Sequence, residues 1–244
     1  MSAATAGDEE HADVETASED YARRFAGPVG AFFLEVQARE TLRLLEPWPQ
    51  ASVLDVGGGH GQLTQPLLEA GYAVTIVGSA ATCRDRVPRW LDAGRAGFSV
   101  ANLLALPYAD RAFDVVLSFR LLPHVRRWRE LVGELARVAR HAVVVDYPTR
   151  RSLNALAEPF YGLKKGVEGN TRPFAVFRDA EVEAAFADHG MRVGARRPQF
   201  LLPMALHRAA HAARLSAGVE AGARWSGLTS LLGSPVLLRL EHDA

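Results

Sequence analysis

VLDVGGGHGQLT, Val53 to Thr64, joins a run of strand formers to an acid, four glycines and the start of a helix. Val53, Leu54 and Val56 favour an extended backbone, and Asp55 stands two residues before Gly57. Gly57, Gly58, Gly59 and Gly61 let the chain approach a ligand where a Cβ would collide. The helix that follows offers unpaired N–H groups to the same ligand. A dinucleotide fingerprint, G-x-G-x-x-G/A, would need a small residue where Gln62 stands, which disfavours a nicotinamide or flavin site. What remains is D-x-G-x-G-x-G, carried by Asp55, Gly57, Gly59 and Gly61. On its own such a turn also serves to join a buried strand to a helix.

A chain of 244 residues can bury one sizeable α/β core. Its 28 basic and 28 acidic residues cancel, so no overall field favours nucleic acid or an anionic membrane. A single cysteine, Cys83, excludes an intramolecular disulfide and a cysteine-cluster metal site, and a cytoplasmic location is expected. The first 18 residues are acidic and poor in large apolar side chains, the reverse of a signal peptide, and are expected to be disordered. No apolar run approaches the ~18 residues that span a bilayer.

Beyond that tail, residues 20–46 read as helices broken near Gly27-Pro28, and Pro47, Trp48 and Pro49 end them. Short apolar runs then alternate with helical segments, the pattern of βαβ units and a largely parallel sheet. Strands are expected over 51–57, 72–78, 97–100, 113–118, 141–147, 191–195 and 235–241, and helices over 62–70, 80–93, 124–140 and 179–190. Residues 203–232 read as a helical insertion between the last two strands. His207 and His211 are spaced i, i+4, but no acid lies at helical spacing beside them and arginines flank them, so no metal site is expected.

A second block, Phe98 to Tyr147, has parts in a recognisable order: Asn102 to Pro107 after the third strand, Phe113 to Val116, a loop with His124, a helix through Val138, and Val143 to Asp146. With the glycine turn, this block resembles the small-molecule class I S-adenosylmethionine-dependent methyltransferases, of the type 11 kind, over about residues 50–197. The resemblance implies a Rossmann-like α/β fold: a seven-stranded sheet of order 3-2-1-4-5-7-6, strand 7 antiparallel, helices on both faces. It implies one domain over residues 19–244, with residues 20–46 as an N-terminal helical lid. It also implies S-adenosyl-L-methionine as cofactor, a small organic molecule as acceptor, and a glycine turn passing under the methionine end of the cofactor. A noncatalytic methyltransferase-like scaffold or partner subunit stands as the alternative. Oligomeric state is open.

Two positions depart from the family pattern. The second strand commonly ends in an acid that holds the ribose hydroxyls, and here Gly78 ends it, followed by Ser79. Asn102 stands where an Asp commonly faces the adenine amino group, and its side-chain carbonyl can still accept. The expected cofactor-binding residues are Asp55, Gly57, Gly58, Gly59, Gly61, Gly78, Ser79, Asn102, Leu103 and Ser118. Asp55 either orients the cofactor or braces the glycine loop. His124 follows the fourth strand beside the point where strand order reverses, where an imidazole can take a proton from an acceptor. Arg120, Tyr147, Tyr161 and Arg172 are expected at the acceptor, Arg120 as a partner for an acidic group. Tyr21 and Phe25 either close over the cofactor or anchor their helix.

Losing a charged contact to ribose costs about 1.5 to 3 kcal/mol, or about ten- to hundredfold in affinity. From sequence, Gly78→Asp is therefore expected to tighten S-adenosylmethionine binding in a calorimetric titration, and a loss of affinity would mean that another group fills that space.

Overall fold

The computed structural model describes residues 11–153, 174–210 and 212–242. Three helices come first: α1 (Ala12–Thr16), α2 (Glu19–Arg23) and α3 (Gly27–Leu45). There follow β1 (Ser52–Val56), α4 (Thr64–Glu69), β2 (Ala73–Gly78), α5 (Pro88–Asp92), β3 (Ala96–Val100), β4 (Phe113–Ser118), α6 (Trp128–Val138) and β5 (Ala139–Tyr147). Then come α7 (Asp179–Ala187), β6 (Met191–Phe200), α8 (Met204–Ala210), α9 (Ala213–Trp225), α10 (Leu228–Leu232) and β7 (Ser234–His242). Single 3-10 turns follow β1 (Gly58–His60), β2 (Ala81–Arg84) and β4 (Leu122–His124).

The seven strands form one sheet of order β3-β2-β1-β4-β5-β7-β6. β1 to β5 pair in parallel and β7 runs antiparallel between β5 and β6, the arrangement expected from sequence. Alternation along each strand divides the core. Leu54, Val116, Val143, Val145 and Leu238 face α6 and α7, while Val53, Val115, Leu117, Val144 and Leu237 face α3, α4 and α5. Both faces are covered, which is why these strands read as continuous apolar runs.

Several boundaries differ from the sequence reading, most at β6, in the helix expected over 80–93 and in the N-terminal tail. β6 continues to Phe200 rather than stopping at Ala195, because it pairs with β7 as far as Phe200↔Ser234. Pro198 within it is tolerated, since β6 is an edge strand and needs no N–H on its open side. The helix expected over 80–93 is split, with Pro88 in the first turn of α5. Within the tail expected to be disordered, Ala12–Thr16 is helical and Asp13 is buried. Residues 1–10 lie outside the described residues.

The inserted helices α8–α10 return from β6 to β7 and pack on α3 and β6. Phe33 of α3 meets Phe200 with ring centroids 4.3 Å apart and His207 of α8 at 5.4 Å. Buried Glu220 of α9 accepts the Leu201 N–H at 2.9 Å and the Leu202 N–H at 3.0 Å, and lies 3.0 Å from His207 Nε2. His207 thus serves a carboxylate. Among the described residues no group of three His, Cys, Asp or Glu side chains could hold a metal ion, and His211 lies outside them.

Asp114 ties β4 to β1 at their amino ends. Its Oδ2 accepts both the Ser52 N–H (2.9 Å) and the Ser52 hydroxyl (2.7 Å), and Arg140 reaches Oδ1 at 2.7 Å. The Ser52 hydrogen bonds, above all that of the hydroxyl, hold the Asp114 carboxyl below its usual range. A depressed carboxyl contributes stability above its unfolded value, near ~3.9, that is lost as pH falls through the lower folded value. Asp114→Ala is expected to cost about 1–3 kcal/mol in denaturant melts at pH 7, with the gap to the parent protein narrowing toward pH 3.

Candidate cofactor cleft and active site

The strand order reverses between β1 and β4, so the crevice outside their carboxyl ends is the ligand site of an open α/β sheet. The glycine turn lies there. Gly57 and Gly61 flank the 3-10 turn with φ of +75° and +69°, backbone shapes that favour glycine. Gly58 is needed for a different reason: a Cβ on it would fall 2.1 Å from the Asp55 carboxylate. A Cβ on Gly59 would meet the Cys83 carbonyl oxygen at 2.4 Å. Two of the four glycines thus give room to protein atoms rather than to a ligand.

Asp55 has the parity of Val53, which turns its carboxyl toward the α4 face beneath the glycine turn. It is fully buried, and neither carboxyl oxygen has a hydrogen-bond partner in the described chain. Burial alone raises its pKa to about 7. His60, inside the turn, is also buried, and its Nδ1 accepts the Gln62 N–H at 3.1 Å. Burial and then the charge of Arg120 push its pKa down to about 3, so its ring stays neutral.

Arg120 leaves β4 with φ of +58°, in the left-handed region. Its N–H reaches Asp146 Oδ1 at 2.5 Å, its Nε reaches Gln62 at 2.8 Å, and a terminal nitrogen reaches Gln37 of α3. The guanidinium also lies 4.3 Å from the Phe25 ring centroid. Arg120 therefore fastens α3 and its approach to the glycine turn and to the end of β5. Phe25 is buried with Tyr21 in the cluster below α3, which anchors that helix.

Ser118, at the end of β4, is buried with its hydroxyl unpartnered. Leu103 is buried in the core, and Asn102 Oδ1 accepts the Leu104 N–H at 2.9 Å, so its carbonyl already shapes the turn after β3. His124 sits on the turn whose Leu121 comes within 3.0 Å of the Cβ position of Gly57. Its ring meets that of Phe174 at 5.5 Å, and the Ala175 N–H bonds the Pro123 carbonyl at 2.8 Å. Phe174 and Ala175 therefore lie against the turn that carries His124.

Tyr147 does not line the cleft as expected. Its side chain is fully buried and its hydroxyl donates to Asp179 at 3.1 Å, bracing α7 against β5. Tyr161 and Arg172 lie outside the described residues. An open groove of about 720 Å³ between α3, α4 and α5 reaches the glycine turn at His60 to Gln62, and none of its lining residues comes from the ends of β4 or β5.

Gly78 ends β2 as expected, but the space beside it is taken. A Cβ there would stand 2.6 Å from Cys83 Cβ and 3.4 Å from Oδ2 of Asp13. Asp13 accepts the Ser79 N–H at 2.8 Å and also the Ser79 hydroxyl. Cys83 is buried against it, and burial followed by the Asp13 charge pushes the thiol pKa up to about 12. Nothing in the acidic composition of the first residues marked Asp13, and the buried roles of Glu220 and Gln37 were equally silent in sequence.

Residues 54–144 match the family model described as a methyltransferase domain. The ubiquinone biosynthesis O-methyltransferase of Paramagnetospirillum magneticum is 30% identical over 161 residues, 62% of this chain and 63% of that protein. Its namesake in Caulobacter vibrioides is 28% identical over 117 residues, 46% of each. The chain thus spans less than two thirds of the length of these curated relatives. The magnesium protoporphyrin IX methyltransferase of Synechocystis PCC 6803, solved with bound SAH, superposes with a TM-score of 0.66 at 13% identity, over 91% of this chain and 93% of the other. The chain has a Rossmann-like fold of the kind seen in class I methyltransferases, and its residues 54–144 match the methyltransferase domain model.

Two outcomes follow from this geometry. Gly78→Asp, expected from sequence to tighten cofactor binding, is on this geometry expected to weaken it in a calorimetric titration, because its Cβ would stand 2.6 Å from Cys83 Cβ and force that side chain from its place beneath Gly59. Asp55 titrates near ~3.9 when unfolded, so its raised folded value gives stability that is complete below that pH and is lost as pH rises toward 7. Because His60, held neutral, contributes in the opposite direction over much of this range, the effect is read as a difference: the melting temperature of the parent is expected to fall relative to that of Asp55→Asn between about pH 4 and 7. Equal slopes in both proteins would show a partnered, ionised Asp55.

Proposed function

We propose that this chain binds S-adenosylmethionine at the carboxyl ends of β1, β2 and β4 and transfers its methyl group to a hydroxyl of a small organic acceptor. The observation that carries this reading is the glycine turn, left-handed at Gly57 and Gly61, set at the strand-order reversal of a 3-2-1-4-5-7-6 sheet. The names of the relatives favour an oxygen acceptor. The residues present suit such a cofactor: the glycine turn can pass close to it, the Ser79 N–H and hydroxyl, which serve Asp13 here, are donors a ribose could take over, and the orphaned Ser118 hydroxyl can meet its amino-acid end.

When bound, the cofactor supplies an electrophilic methyl sulfonium. The chain's own work is then to align the acceptor, exclude water and take up a proton. Arg120 shapes the cleft from behind, since Gln37, Gln62 and Phe25 already engage its guanidinium. His124 takes the proton of the acceptor hydroxyl, with Phe174 holding its ring. The chain's zero net charge favours a small molecule over nucleic acid, and its lone buried cysteine accords with the cytoplasm. Among the described residues no helix is long and apolar enough to cross a membrane.

Calorimetric titration with S-adenosylmethionine and S-adenosylhomocysteine, with NADH as control, is expected to show binding of the first two alone. No binding of either up to millimolar concentration would favour the noncatalytic scaffold. With a phenolic acceptor in hand, His124→Ala is expected to lower kcat by about a hundredfold or more while cofactor affinity holds. An unchanged kcat would remove His124 as the base.

A further inference from the structure

Asp13 lies across the cofactor cleft itself. α1 packs on the 3-10 turns Gly58–His60 and Ala81–Arg84, and Ala12 rests on the core cluster that includes Leu103 and Leu121. Asp13 is fully buried, and its Cβ stands 3.5 Å from the Cβ position of Gly57. Its carboxylate takes the Ser79 N–H, the Ser79 hydroxyl and the Cys83 thiol, the last at 3.3 Å. His11 Nδ1 lies 3.1 Å from the same Ser79 hydroxyl. Gly57 follows β1 and Gly78 ends β2, so one side chain bridges the carboxyl ends of both strands, where an open α/β sheet takes its ligand.

We propose that Ala12–Thr16 is an intramolecular occupant of the nucleoside end of the cleft, latched by Asp13 on Ser79, and that cofactor binding requires its release. This rests on the methyltransferase reading above. The simplest rival makes Asp13 the ribose-holding acid that Gly78 lacks. A carboxylate has about four acceptor positions, and three are already filled by Ser79 and Cys83. One remaining position cannot clamp two hydroxyls, and the Asp13 Cβ stands over Gly57 where the ligand itself must pass. The donors on Ser79 suit a ribose oxygen as well as a carboxylate, so the two compete for one set of hydrogen bonds. Apparent cofactor affinity is then the intrinsic affinity reduced by the fraction of molecules whose latch is open.

The test compares the full chain with its Asp13→Ala and Asp13→Asn variants, after thermal melts establish that each folds. Two quantities are read: S-adenosylhomocysteine affinity by calorimetry, and the rate at which a thiol reagent modifies Cys83, the chain's single cysteine. Asp13→Ala is expected to bind at least about fivefold tighter and to react faster at Cys83, with Asp13→Asn between it and the parent. Weaker binding by Asp13→Ala would overturn the proposal and make Asp13 the ribose acid. Equal binding, or an unchanged thiol rate, would overturn it by showing that Asp13 does not hold the segment in the cleft. If no protein of the three binds while Cys83 still becomes reactive, the helix docks over no cofactor site, and the methyltransferase reading falls with the proposal.

Discussion

The contact between the Asp55 carboxyl and the bare face of Gly58 sets the geometry on which the cleft depends. A carboxyl at the end of a buried central strand is costly to place, and that of Asp55 lies in the space a Cβ on Gly58 would fill. With Asp55 beneath, the chain must rise over it, reverse at Gly57 and Gly61, and bring its amides to the open end of the sheet. Cys83 then packs under Gly59 so tightly that β2 can carry no side chain at Gly78. The absence of the usual acid at the end of β2 is therefore a packing consequence of the same turn.

Around that turn the fold is held by two kinds of force. The strands are fixed by apolar contact on both faces, which tolerates variation in shape as long as volume is kept. The connections at the carboxyl end are fixed by directional bonds from a few long side chains, of which Arg120 is the centre. Its backbone is in a costly conformation for a residue with a Cβ, offset by the four contacts made by its amide and guanidinium.

Much of this was legible in the sequence, and the division is physical. Strands buried on both faces announce themselves as apolar runs, so β1, β2, β4 and β5 fell within a residue or two of their expected ends. The exposed edge strand β6 carries Arg196, Arg197 and Pro198, which hid its second half. The glycine turn was readable because its backbone demands a residue type. Asp13, Gln37 and Glu220 were not, because polar residues on helices look alike whether they face water or a partner far away in sequence. Tyr147 shows the opposite error: an aromatic at a strand end suggested a ligand, while Asp179 claims its hydroxyl.

Glu220 gives the inserted helices a property that apolar packing alone would not. Its two oxygens receive N–H groups from consecutive residues at the end of β6 and face His207 on the neighbouring helix. Leucine against leucine can slide by a fraction of a turn at small cost, but a charge in a dry interior cannot leave its donors without meeting a penalty of several kcal/mol. The insertion is thus keyed as well as packed: α8 and α9 have one phase relative to β6, and a single-residue insertion or deletion between His207 and Glu220 would throw the carboxylate out of step with all three partners at once.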